Sequence, residues 1–407
     1  MELRKVVCTG MSGAGADSYL KALADQFPER ILHFDVGREI LRIAAERGQP
    51  IPTDKILNKY MHTLDALRTA ALERMLARVI DEEGRLADVE DGDGHAFIAD
   101  IHALFPWKRA LVPALDPFYL RQMNPDVYVT VIDNIVGIAL ELWNKGQWSW
   151  LEVDEMLSWR DQETFVTEVV ARATAPPELG GEEGGMREHF IISRNEPVDT
   201  LARLVLKPSL KKVYLSYPIS HVSPELLERA QEFGRELSKF AVVFNPMAVE
   251  DMRLVYALRD VLTGGFPGER AAYSGDEKVL GVAARVQEDF KTDRLSRQQI
   301  ARIIDHISSQ TVARDYKLIA QSDAVVVMYN PTKLTVKTEA GEEVQAEYAF
   351  LSAGVVCEMV YGFTNDKDVY AVWLPPGDPS PFFTYHCTAW YRKSEELIDS
   401  LQSENWF

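Results

Sequence analysis

The sequence predicts a two-domain α/β protein, each domain built on a parallel sheet with helices on both faces. Three observations predict it. Short apolar strand-like runs alternate with long helical patterns, a glycine-rich turn joins the first strand to the first helix, and a second strand–helix series begins after Lys207–Lys211. The length of 407 residues agrees, being too great for one ordinary domain.

Residues 4–9 form the first strand, Gly10 to Gly15 the turn, and a helix follows from about Ser18. Phe97–Asp100, Val127–Ile132 and Phe190–Ile192 read as further strands, with helical patterns over Thr53–Asp81 and Val153–Ala173. The run APPELGGEEGG (Ala175–Gly185) has the composition of a linker. It reads as a mobile loop inside the first domain, because Phe190–Ile192 and the helical Pro197–Leu206 supply that domain's last strand and helix. The domains are therefore 1–208 and 209–407.

In the second series Val213–Ser216, Val242–Phe244, Ala324–Met328 and Val369–Leu374 are strands. Pro224–Phe240, Gln298–Gln321 and Val355–Gly362 are helices. Polar Tyr329–Ser352 reads as a hairpin or flap, and charged Ser274–Arg297 as a helix.

Composition narrows the function. Hydrophobic residues at 46% and charged residues at 26% describe a soluble globular chain. No apolar run approaches the roughly 20 residues that span a bilayer, and MELRKVVCTG is not a secretory signal. Cys8, Cys357 and Cys387 lack paired spacing, which points to a reducing, cytoplasmic setting. The eight histidines form no zinc-ligand spacing with cysteine, so no metal is expected. A net charge of −18 opposes polymeric nucleic acid as a partner while leaving room for a buried mononucleotide.

The turn Gly10-Met11-Ser12-Gly13-Ala14-Gly15-Ala16-Asp17 has the strand–turn–helix form that aims backbone N–H groups at phosphate. Against G-x-x-x-x-G-K-[ST], Ala16 replaces the lysine and Asp17 the magnesium-binding hydroxyl. The motifs VVCTGMSGAGADS, HFDVGREILRIAAERG (His33–Gly48) and FIADIHALF (Phe97–Phe105) resemble the archaeal-type adenylate kinases over roughly residues 4–207. That resemblance implies nucleotide contacts at Gly10, Ser12, Gly13 and Gly15, with Asp100 and His102 near the phosphates. The family's lid arginines are reduced to Lys145 and Arg160 within Glu141–Arg160. Loss of loop lysine and lid cations predicts a kinase-like domain without phosphoryl transfer, retained as nucleotide sensor or scaffold. Trp143, Trp148, Trp150 and Trp159 read as packing or lid contacts.

In the second domain RDYKLIAQSDAVVV carries Asp315 and Asp323, and SAGVVCEMVYG (Ser352–Gly362) places a small-residue turn before a helix bearing Glu358. With KVYLSYPIS (Lys212–Ser220), these motifs resemble the nucleoside 2-deoxyribosyltransferase superfamily, which includes 5′-monophosphate N-glycoside hydrolases, over residues 212–380. The two resemblances together imply a P-loop kinase-like sheet followed by a Rossmann-like, doubly wound domain. They imply Glu358 as the nucleophile, Tyr214 orienting it, and Asp315 placing the sugar or passing a proton. Ser216, Ser352, Gly354 and Asp323 are the expected substrate contacts, although Asp323 also suits a helix-to-strand junction. Ser352, six residues before Glu358, favours a nucleotide substrate. Tyr217 departs from the small residue usual in its loop, a change able to cover the pocket. No cofactor is required, and the resemblance implies a homo-oligomer. Competing readings are a bifunctional salvage enzyme with a working kinase domain, a non-catalytic nucleotide sensor or assembly protein, and an NAD-cleaving effector, since Toll/interleukin-receptor-like domains use a glutamate on a related layout.

Overall fold

The computed structural model describes residues 3–87, 94–108, 110–175, 187–219, 222–265, 275–337, 343–349 and 352–407. The chain divides into two compact units, Met1–Lys207 with Ala248–Thr311, and Pro208–Met247 with Val312–Phe407. Most of the loop expected at Ala175–Gly185 lies outside the described residues.

The first unit opens with β1 (Leu3–Thr9), α1 (Ala16–Gln26), β2 (Ile31–Asp35), α2 (Val36–Glu46) and α3 (Met61–Leu86). Next come β3 (His95–Asp100), the hairpin β4 (Leu104–Trp107) and β5 (Ala110–Pro113), and α4 (Pro117–Met123). β6 (Val127–Ile132), α5 (Ile135–Asn144), α6 (Val153–Ala173), β7 (Glu188–Ser193) and α7 (Val198–Leu206) follow. The five-stranded sheet has order β2-β3-β1-β6-β7, every pair parallel. Every residue of β6, VYVTVI, is buried, as expected of a parallel strand covered on both faces. The helical pattern read over Thr53–Asp81 is divided. Thr53–Asn58 is a 3-10 turn, and α3 starts only after Tyr60.

Helix starts follow side-chain chemistry. Asp35 Oδ1 accepts from Arg38 N at 2.8 Å and caps α2. Asn134 Oδ1 does the same for α5 from Gly137 N at 2.8 Å.

The second unit begins with β8 (Lys212–Ser216), α8 (Pro224–Leu237) and β9 (Val242–Phe244). Residues 248–311 then return to the first unit as α9 (Met252–Thr263), α10 (Glu277–Lys291) and the first part of α11 (Arg297–Ala320). This differs from the continuous 209–407 domain expected from sequence, and the reason is apolar. Leu254, Leu258, Val282, Val286, Ile300 and Ile307 belong to the first unit's core. Asp251, just ahead of α9, accepts from Ile135 N at 2.7 Å and pairs with Arg160 at 2.9 Å.

β10 (Ala324–Tyr329), the antiparallel hairpin β11 (Thr332–Lys337) and β12 (Glu343–Tyr348), and α12 (Ala353–Thr364) continue the second unit. β13 (Asp368–Trp373), α13 (Pro381–Thr384), β14 (Ala389–Tyr391) and α14 (Ser394–Ser403) complete it. Its sheet has order β14-β13-β10-β8-β9, again all parallel. Tyr217 packs into this unit's core and donates to Asn245 Oδ1 at 2.7 Å. Among the described residues no helix is long and apolar enough to cross a membrane.

Candidate active site

In a parallel sheet the strands' carboxyl ends collect loops and helix starts, and ligands bind there. In the second unit, β8 ends with Tyr214 and Ser216, two residues apart and therefore on one face of the strand. α12 begins after Ser352, whose N–H donates to Tyr329 Oη at 3.1 Å. Gly362 follows Glu358 by four residues, so both lie on one side of the helix. A β-carbon on Gly362 would lie 2.7 Å from Val325 Cγ2, so glycine lets α12 seat closely on β10. That seating brings Glu358 to the end of β8.

Ser216 Oγ donates to Glu358 Oε2 at 2.5 Å. The Tyr214 hydroxyl is fully buried beside the carboxylate and makes no hydrogen bond of regular geometry among the described residues. From α11, Arg314 donates to Asp315 Oδ1 through Nε at 3.0 Å and Nη2 at 2.8 Å. Glu358 keeps some solvent contact, yet protein crowds it on most sides. Burial first, and the charge of Asp315 second, push its carboxyl up to about 7, against the pull of Ser216, Tyr214 and Arg314. Burial, then Glu358 and Asp315, hold Tyr214 well above its ordinary value, so it remains a neutral O–H.

Glu358, Ser216, Tyr214 and Asp315, named from sequence, thus belong to one electrostatic cluster. Ser352 immediately precedes α12 and Gly354 lies in its first turn, on the helix that carries Glu358. Asp323 is a correction. Its carboxylate accepts from Lys212 N at 2.7 Å, and its N–H donates to Lys212 O, tying the start of β8 to the start of β10. Ser216 lies opposite Val327, at the other end of that pairing. Asp323 therefore fastens strands and does not face Glu358. Sequence reasoning missed Arg314, whose signal was adjacency to Asp315. It also missed the face-to-face stack of Tyr316 and Tyr361, with centroids 4.1 Å apart and planes 3° from parallel. Tyr361 follows Glu358 by three residues, a spacing that shares a helix face.

In the first unit a cavity of about 600 Å³ lies against the glycine turn. Ser12, Gly13, Gly15, Asp100 and His102 line it, as expected for a ligand-facing loop. Gly13 at φ 90° and Gly15 at φ 69° adopt left-handed backbone, which glycine supplies without strain. Gly10 is different. Its absent β-carbon would lie 2.9 Å from Ala16 Cβ and 3.0 Å from Val131 O, so it serves packing. Arg194, another residue missed from sequence, lies over Gly15 and pairs with Asp133 at 3.5 Å.

Arg160 is not a lid cation. It is buried, bound to Asp251, to Asp133 O at 2.9 Å and to Gln310 Oε1 at 2.7 Å. Lys145 pairs with Glu141 at 3.0 Å. Trp148 and Trp159 are buried and donate to the Pro106 and Leu104 carbonyls, so they pack. Among the described residues no group of three or more His, Cys, Asp or Glu is arranged to hold a metal ion.

No protein-family model matches the chain, and no curated protein matches it. Solved structures similar to it include an uncharacterized protein from Eubacterium ventriosum ATCC 27560, with 11% identity over 50% of this chain and 96% of that one, at a TM-score of 0.25. A gluconokinase from Sinorhizobium meliloti 1021 has 16% identity over 50% and 93%, at 0.23. A sugar kinase from Janibacter sp. HTCC2649 has 16% identity over 50% and 94%, at 0.24. At such TM-scores these likenesses carry no argument about the chain.

Proposed function

We propose that the second unit cleaves or transfers at the N-glycosidic bond of a nucleoside or nucleoside 5′-monophosphate, with Glu358 as the attacking carboxylate. One observation carries this reading: a carboxylate at the end of a parallel strand, gripped by Ser216, faced by Tyr214 and raised by burial and Asp315. An ion held in that way is poorly solvated, and a developing positive charge on a sugar ring would stabilise it. In the reaction a Glu358 oxygen bonds to C1′ as the C1′–N bond breaks. The electron pair leaves with the base, which takes a proton from water. Water or an acceptor base then displaces Glu358 from C1′. The first unit acts as sensor or scaffold, because Ala16 and Asp17 stand where the loop's lysine and magnesium-binding hydroxyl would support phosphoryl transfer.

The raised carboxyl also favours a second reading, in which Glu358 is the acid that protonates the leaving base while water attacks directly. The deciding experiment incubates the full chain and its Glu358→Gln variant with nucleosides, 5′-monophosphates and NAD, and separates free bases by chromatography. Base release by the native chain and none by the variant supports the site. No release from any compound overturns it, and nicotinamide release alone would make NAD the substrate. Intact-protein mass after acid quench separates the two mechanisms, since only the first leaves a sugar ester on Glu358.

A further inference from the structure

The first-unit cavity lies within the roughly 300–1,000 Å³ range of small-molecule sites. Its apolar lining includes Ile40, Ile56, Leu57, Leu64 and Trp148. The glycine turn lines it too, and there an aspartate stands where a phosphate cradle has its hydroxyl. Asp17, Asp35 and Asp100 all line the cavity. Asp17 sits in the first turn of α1 and already complements that helix's positive end. Asp35 and Asp100 are register partners on β2 and β3. Burial raises the Asp35 carboxyl and the neighbouring Asp100 raises it further.

The cations are committed. Arg38 pairs with Asp35 at 3.0 Å, Arg68 with Asp65 at 3.3 Å, and Lys145 with Glu141. Arg194 does not line the cavity and is paired with Asp133. A phosphate dianion would meet Asp17 at the loop, and each lysine and arginine of the lining already has a carboxylate partner.

Polar recognition is nevertheless available. Gln147 lines the cavity, and its Nε2 and Oε1 are both buried with no hydrogen-bond partner among the described residues. Orphaned amide atoms of this kind call for a ligand that supplies both an acceptor and a donor, as the edge of a heterocyclic base does. Carboxylates accept hydrogen bonds from sugar hydroxyls.

We infer that this cavity binds an unphosphorylated nucleoside and excludes its phosphorylated forms, so that the strand–glycine–helix turn serves a neutral ligand. The inference does not depend on glycosidic activity in the second unit. Its test is isothermal titration of the full chain with adenosine, guanosine, cytidine and uridine, their 5′-monophosphates and magnesium ATP, under conditions where turnover is checked and absent. At least one nucleoside binds, and its monophosphate binds at least 10-fold more weakly at this site. Because the second unit is a second proposed nucleoside site, the diagnostic component is the one weakened at least 10-fold in Asp100→Asn and in Gln147→Ala but retained in Glu358→Gln. The double change Ala16→Lys with Asp17→Ser restores the phosphate-binding groups and raises monophosphate affinity at least 10-fold. Failure of all four nucleosides to bind overturns the inference. So does equal or tighter binding of a phosphate form in the native chain, or an isotherm unchanged by both Asp100→Asn and Gln147→Ala.

Discussion

Glu358 holds its proton to nearly neutral pH because burial and Asp315 outweigh the hydroxyls that favour its ionised form. If it attacks C1′ it must be ionised, so kcat/KM rises with pH and levels off above about 7. If it donates the proton, the rate falls through the same range. A pH–rate profile on whichever nucleoside or nucleotide releases base reads the sign directly. Stability follows the same group. Its native carboxyl binds a proton between the ordinary value of 4.5 and about 7, where the unfolded chain does not. The native state is therefore most favoured below 4.5 and loses that advantage as pH rises through 7. Glu358→Gln should leave the urea midpoint nearly unchanged at pH 4 and raise stability at pH 8 by on the order of 3 kcal/mol. A variant equally or less stable than the native chain at pH 8 would contradict the assigned burial.

Gly362 shows how an element can be set by one missing atom. Any side chain there meets Val325, so Gly362→Val should push α12 off β10 and cost about 1–3 kcal/mol, measured by denaturant unfolding. Base release should fall with it, since Glu358 rides on the same helix. At this scale much was legible in the sequence. Strands such as Val127–Ile132 and helices such as Val153–Ala173 were read from sequence at the bounds the fold gives them. The break between Asn58 and Met61 was not, because helical periodicity continues across a backbone that turns at Tyr60. Asp323 misled for a related reason: a motif gives a position in the chain, whereas the end of the strand it occupies depends on register. Glu358, Ser216 and Tyr214 could be named because each lies within or beside a strand-end motif. Arg314 was missed because its one signal, adjacency to Asp315, is common on a charged helix.

At the scale of the whole molecule, the return of residues 248–311 to the first unit was invisible to a linear reading, in which one boundary ends one domain. The segment's role is testable through Asp251. Asp251→Ala would leave Arg160 buried without its carboxylate partner, at a cost of about 3–5 kcal/mol to the first unit, read by hydrogen exchange across β6 and α6. Protection unchanged there would mean that the ion pair contributes little. The excursion also has a temporal side. β8 pairs with β9 on one flank and β10 on the other, and Lys212 bonds to Asp323 across 111 residues. At a synthesis rate of roughly 5–20 residues per second, a nascent chain waits several seconds or more between making β8 and making the strand that closes its open flank. During translation that bare edge must be shielded, whether by the ribosome tunnel, a chaperone or neighbouring chain, before the second sheet can be completed.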